Sequence, residues 1–129
     1  MKHKIILLVD DDEDDQLIFK DAISEIFINV KCLTASNGKD AYSQLDKSSP
    51  APSLIFLDLN MPVMNGFEFL KRVKDSLDHR KIPIIIYTTS DSPQDKKNTL
   101  DAGAVLFFTK TTDFKFLKTK LREILQSDL

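Results

Sequence analysis

Four sets of reactive side chains punctuate this chain, each directly after a short apolar run. Asp10-Asp11-Asp12 follows Ile5 to Val9, and Asp58 closes Leu54 to Leu57 just ahead of Leu59-Asn60-Met61-Pro62 and Asn65-Gly66. Thr88 follows Ile82 to Tyr87, and Lys110 comes just after Val105 to Phe108. Carboxylates brought within about 4 Å repel by roughly 4 kcal/mol per pair at an effective dielectric near 20, so a gathered set calls for a cation. A hard divalent ion suits it. Magnesium uses one or two carboxylates and completes its octahedron with waters, a backbone carbonyl and substrate phosphate oxygens. Asp11, Asp58 and the backbone carbonyl of Asn60 supply that ligand set, with Asp10 reaching the ion through water. An aspartate beside such an ion is a nucleophile toward a phosphoryl group, whose three equatorial oxygens need neutralising. The metal takes one, Lys110 a second, and the Thr88 hydroxyl with nearby backbone N–H groups the third. Asp58 is therefore the expected reaction centre, with Thr88 and Lys110 as its catalytic partners.

These groups converge only if the apolar runs are strands of one sheet. The runs Ile5 to Val9, Val30 to Ala35, Leu54 to Leu57, Ile82 to Tyr87 and Val105 to Phe108 alternate with segments of helical period. That alternation is the pattern of stacked βα units and an α/β fold with a parallel sheet. The second, third and fourth runs are rich in Ile, Leu and Val with little alternation, which predicts strands covered on both faces. Phe19, Ala22, Ile23, Ile26 and Phe27 form one buried helical stripe, and Leu70, Val73 and Leu77 a second. The last helix starts at an Asp113 N-cap and buries Phe114, Leu117, Leu121, Ile124 and Leu125, with Lys115, Lys118, Lys120 and Arg122 toward water. Before Gly103, Ser92 and Pro93 open a helix whose only large apolar residue is Leu100, which predicts weak anchoring. Asp14 and Asp15 are read as solvated acids of a first helical turn. Right-handed crossovers then give a doubly wound open sheet with a crevice at the carboxyl ends of the strands, where Asp10, Asp11, Asp58, Thr88 and Lys110 all map.

Composition sets the outer bounds. With 129 residues and 42% hydrophobic content, the chain can bury one core, so a single domain over 1–129 without an output module is expected. The 18 basic residues are scattered and the net charge is -2, which leaves counterion-release binding of nucleic acid little to work with. Ile5 to Val9 is too short to span a bilayer, so the protein is expected to be cytoplasmic with no membrane contact. The lone Cys32 reads as a small hydrophobe, and His3 and His79, with no neighbours at ligand spacing, as surface histidines.

Taken together, these motifs resemble the receiver domain of two-component response regulators, from about Ile5 to Leu125. Val9-Asp10-Asp11-Asp12 is similar to that family's acidic pocket, and Leu57-Asp58-Leu59-Asn60-Met61-Pro62-Val63-Met64-Asn65-Gly66 to its phosphoacceptor motif. Thr88 matches its switch hydroxyl, and Ala102-Gly103-Ala104 with Lys110 its closing segment. The resemblance implies a flavodoxin-like five-stranded parallel sheet in the order 2-1-3-4-5, an order carried over from the family's chemotaxis members. It implies Mg²⁺-dependent transfer of a phosphoryl group to Asp58 from a sensor histidine kinase or a histidine phosphotransfer protein, followed by slow hydrolysis. It implies a switch in which Thr88 moves toward the phosphoryl group and Phe107 turns inward, changing a face that binds a downstream protein or a second copy of the chain.

Several positions depart from the family's pattern. Lys110 is followed by Thr111 instead of proline, so a trans peptide is expected, since a cis bond there would cost about 2.5–4 kcal/mol. Phe107 lacks the hydroxyl of the more frequent tyrosine, and Thr89 is bulkier than the usual small residue. Asn60 and Ser90 flank the path of attacking water. Phe116 lies off its helix's buried stripe and reads either as a partner anchor or as a ring folded onto the sheet edge. Two competing readings are a haloacid-dehalogenase-like phosphatase, with Asp10 as nucleophile and Asp12 as acid, and a receiver that never phosphorylates and serves only as an interaction module. A flavin-binding module of similar topology is disfavoured by acid where a phosphate loop would lie.

Overall fold

A computed structural model describes residues 5–26, 29–127 and 129. Five strands and five helices alternate: β1 (Ile5–Val9), α1 (Glu13–Ile26), β2 (Lys31–Ala35), α2 (Gly38–Lys47), β3 (Leu54–Leu57), α3 (Gly66–Asp75), β4 (Ile84–Thr88), α4 (Pro93–Asp101), β5 (Leu106–Thr109) and α5 (Phe114–Leu125). The sheet is parallel throughout in the order β2-β1-β3-β4-β5.

Side-chain alternation along each strand divides the core into two layers. Leu7, Val9, Ile55, Leu57, Ile84 and Ile86 point to one face and pack with Ala41 and Leu45 of α2 and Phe69, Leu70 and Val73 of α3. Ile6, Leu8, Leu54, Phe56, Ile85 and Tyr87 point to the other, against Phe19, Ala22 and Ile23 of α1 and Leu117, Leu121, Ile124 and Leu125 of α5. Each fully buried large apolar side chain contributes roughly 1.5–3 kcal/mol. Residues of β1, β3 and β4 are buried on both faces apart from half-buried Ile5, whereas β2 is only partly covered. The expectation that the second run lies covered on both faces is thus corrected. The chain reverses its direction of winding after β2, which leaves β2 at the edge and puts β1 in the interior.

Helix boundaries follow the capping chemistry. Asn65 and Glu68 form a reciprocal capping box on α3, Ser92 caps α4 with Pro93 in its first turn, and Asp113 caps α5. Ile26 packs at the edge of its layer, and Phe27 lies outside the described residues, as does His3. Leu77 does not continue the α3 stripe: the helix stops at Asp75 with Ser76 as its cap, and Leu77 is 80% exposed. Phe114 is half-buried, and Lys118 is tied to Glu25 of α1 at 3.1 Å instead of facing water freely. In α4 the buried residue is Thr99, whose hydroxyl donates to the Asp95 carbonyl at 2.8 Å, while Leu100 stays 36% exposed. Cys32 is half-buried, and burial pushes its thiol up to about 12, which leaves it a protonated hydrophobe. Among the described residues no helix is long and apolar enough to cross a membrane.

Candidate functional site

Three strand tips and the first turn of α1 build one charged crevice at the carboxyl edge of the sheet. The amides of Asp10 and Asp58 continue the ladders, donating to Ala35 O and Val9 O at 2.9 Å each, so both carboxylates emerge where pairing ends. Lys110 is held the same way, its amide donating to Thr88 O at 2.7 Å. Gly66 lets α3 begin directly against this edge, since a Cβ there would collide with the Asp58 carbonyl oxygen and lie 2.7 Å from Leu59 Cα.

The Lys110 ammonium, buried but for its edge, meets three carboxylates: Asp10 Oδ2 at 2.6 Å, Asp15 Oδ2 at 2.8 Å and Asp58 Oδ2 at 3.3 Å. Its nitrogen also lies 5.5 Å from the centroid of the Tyr87 ring. Burial would lower the lysine's pKa, but its contacts with Asp10 and Asp15 and the charges of Asp10 and Asp58 outweigh that and hold it above the ordinary value. Asp10 is fully buried, and burial raises its pKa above 3.8 against the pull of Lys110. Burial also pushes the Tyr87 phenol up to about 12.

A cation fits beside this pair. Asp10, Asp11 and Asp58 each offer a carboxylate oxygen, and these oxygens lie within 4.8 Å of one another. Asp10 Oδ2 is buried with the Lys110 ammonium at 2.6 Å, and that one ammonium serves three carboxylates. Carboxylates that outnumber the one ammonium among them are what a hard cation satisfies. Asn60 is exposed, and its amide donates weakly to Asp58 Oδ1 at 3.5 Å.

The remaining expected residues are placed as follows. Thr88 is fully buried at the β4 tip, where its hydroxyl accepts weakly from the Ser90 amide at 3.5 Å. Phe107 is partly buried and packs on the α2/α3 layer. Ser90 is engaged, its hydroxyl donating to Asp95 Oδ2 at 2.7 Å at the start of α4. Among the described residues the one cis peptide is Ser49-Pro50, so Lys110-Thr111 is trans as expected. Phe116 is 51% exposed with its ring centroid 6.3 Å from that of Phe108, so the ring leans on the sheet edge while half of it faces outward.

Two readings are corrected. Asp15 is no solvated helix-turn acid but a partner of Lys110, whereas Asp14 is exposed as expected. His79 is buried, with Nε2 2.9 Å from Asp46 Oδ1 and its ring against Tyr42, which Arg72 covers at 4.2 Å. Val63 went unremarked in the sequence: it takes φ 68 while Met64 N donates to Pro62 O at 2.8 Å, a strained γ-turn of the rare positive-φ form. Asp12 caps α1, its Oδ1 accepting from the amides of Asp14 and Asp15 at 2.9 and 3.1 Å, an arrangement that removes it from the acid role of the phosphatase reading.

A doubly wound parallel sheet with a carboxylate crevice closed by one lysine defines a class of small signalling domains. The response regulator receiver domain model matches residues 6–122, and the chain belongs to that family. It is similar to the response regulator Rcp1 of Synechocystis, with 30% identity covering 88% of this chain and 81% of that protein. It is also similar to the chemotaxis protein CheY1 of Helicobacter pylori, with 32% identity covering 93% and 95%. Among solved structures, the phosphorylated cyanobacterial phytochrome response regulator RcpA superposes with a TM-score of 0.86 at 27% identity, covering 95% of this chain and 91% of that one. The Mn²⁺-bound form of Rcp1 superposes with a TM-score of 0.83 at 29% identity, covering 94% and 91%.

Proposed function

We propose that Asp58 accepts a phosphoryl group from the phosphohistidine of a sensor histidine kinase or a histidine phosphotransfer protein. One observation carries this reading: a carboxylate at the tip of the central strand β3 faces a buried ammonium at 3.3 Å, with two further carboxylates within ligand reach of the same point. The Asp58 oxygen attacks phosphorus as the histidine N–P bond breaks, and the imidazole leaves with the bonding electrons. Lys110, whose contact with Asp58 is its longest of three, transfers that hydrogen bond to a phosphoryl oxygen. The Thr88 hydroxyl, already weakly held, turns to a second oxygen, and Phe107 follows into the vacated space. Asp11, Asp58, the Asn60 carbonyl and, through water, Asp10 would hold a divalent ion, for which we propose Mg²⁺, and it would supply neutralisation of the developing charge.

Hydrolysis by water approaching past Asn60 and Ser90 resets the domain. The altered surface binds a downstream protein or a second copy of the chain, and the protein works in the cytoplasm without contacting nucleic acid or membrane directly. The phosphorylated RcpA and the Mn²⁺-bound Rcp1 support this chemistry in relatives. An interaction module that never phosphorylates is disfavoured because every group the transfer needs is present.

Intact-mass measurement after incubation with acetyl phosphate and Mg²⁺ tests the proposal. One phosphoryl adduct is expected, absent in Asp58→Asn and absent when EDTA replaces Mg²⁺. An adduct that survives Asp58→Asn but vanishes in Asp10→Asn would reinstate the phosphatase reading.

A further inference from the structure

Asp15 has no part in the transfer described above, yet its carboxylate lies 2.8 Å from the Lys110 Nζ, nearer than that of Asp58. Its placement follows from helix-capping chemistry. An acid at the third position of a helix ordinarily reaches back to the amide of the N-cap residue. Here that amide, on Asp12, already donates to Asp10 Oδ1 at 3.0 Å, while Asp12 Oδ1 accepts from the Asp15 amide at 3.1 Å. The Asp15 backbone is thereby fixed and its side chain left to find another donor, which is Lys110.

An ammonium has three hydrogens, and Lys110 meets three carboxylates, one of which must be released when a phosphoryl oxygen arrives. Asp10 and Asp15 are the two close contacts, and the Tyr87 ring forms a wall on the same lysine. We infer that Asp15 is a positioning residue that anchors Lys110 on the α1 side of the crevice, so that the donor now aimed at Asp58 passes to the phosphoryl group without the side chain swinging away. The anchoring is stated of the resting protein; its effect on transfer rests on the phosphoacceptor reading of Asp58.

Two measurements test it. The first is phosphorylation by acetyl phosphate in Asp15→Ala, Asp15→Asn, Lys110→Ala and the Asp15→Ala/Lys110→Ala pair. The expected result is about a tenfold lower saturating rate for Asp15→Ala with an unchanged half-saturating donor concentration, partial recovery in Asp15→Asn, which keeps an acceptor, and no further loss from Asp15→Ala once Lys110 is gone. Equal single-variant and wild-type rates, or an undiminished Asp15→Ala effect in the Lys110→Ala background, would overturn the inference. The second measurement is the hydrogen exchange of the Lys110 ammonium by ¹⁵N NMR without any donor: slow in wild type, fast in Asp15→Ala. Unchanged exchange overturns the anchoring itself. If wild type takes no phosphoryl group, the Asp58 reading fails, and the NMR result still decides whether Asp15 holds the lysine.

Discussion

Two lysines are tucked against opposite ends of the same sheet, and their surroundings push them in opposite directions. Lys110, at the carboxyl edge, faces Asp10, Asp15 and Asp58, and its pKa is raised. Lys74 reaches toward the opposite edge, where its ammonium donates to the carbonyls of Arg80 and Ile82 at 3.1 and 3.0 Å and no carboxylate pairs with it among the described residues. Burial lowers its pKa. Its stem lies over Gly103, whose φ of 113 and lack of a Cβ give it room. Neutral carbonyls hold a lysine in place and make it a strut between α3 and the chain entering β4. Several carboxylates around a lysine instead leave surplus negative charge, and such a site is poised to take a cation and exchange partners.

The comparison breaks most visibly on deletion of the ammoniums. Lys110→Met strands the buried Asp10 and is expected to cost about 3–5 kcal/mol at pH 7 in urea unfolding without divalent ions. Because burial already holds Asp10 above 3.8, losing the ammonium lifts it further. The deficit is then largest at neutral pH and shrinks as the pH falls toward 3.8, where the folded state binds the extra proton. A deficit independent of pH would show that the carboxylates are not the cause.

Tyr87, the aromatic wall beside Lys110, sharpens the contrast in alkali. Its folded pKa of about 12 exceeds the ordinary 10.0, so between those values the folded state retains a proton that the unfolded state has lost. Stability falls as the pH rises through that window, by at most about 1.4 kcal/mol per unit. Tyr87→Phe removes this slope, which urea midpoints at pH 10, 11 and 12 would reveal, and a slope equal to wild type would refute the assignment.

The smallest effect belongs to the other end. Lys74→Met loses two hydrogen bonds to carbonyls but relieves a buried charge, for a net cost of about 1 kcal/mol. Its depressed pKa gives the opposite sign from Lys110: below the ordinary 10.5 the unfolded state binds more protons, so wild-type stability gains with rising pH there, and Lys74→Met loses that gain. Chemical denaturation of wild type and Lys74→Met in parallel at pH 8 and 10 reads the Lys74 sign, and wild type beside Lys110→Met above pH 10.5 reads the opposite one.

Local chemistry settles much of this protein without reference to the fold. Alternating and continuous apolar runs set the strands; Asn65, Ser92 and Asp113 set helix starts; and Asp58, Thr88 and Lys110 had to stand together once each ended a parallel strand. The resemblance to receiver domains supplied the strand order, which periodicity alone does not contain. What the sequence withheld depends on neighbours far along the chain. Asp15 has the composition of any acidic first turn, and its partner lies 95 residues away. His79 has no ligand-spaced neighbour because Asp46 is 33 residues distant on α2. The second run differs from its interior counterparts in carrying Lys31 and Thr34, but the reversal of winding that makes β2 an edge is set by the order of the sheet. A residue's own spacing fixes which way its side chain leaves its helix or strand; whether it meets water, a carboxylate or a ring is decided by the packing of separate elements, and that decision turned an unremarkable aspartate into a partner of the site lysine.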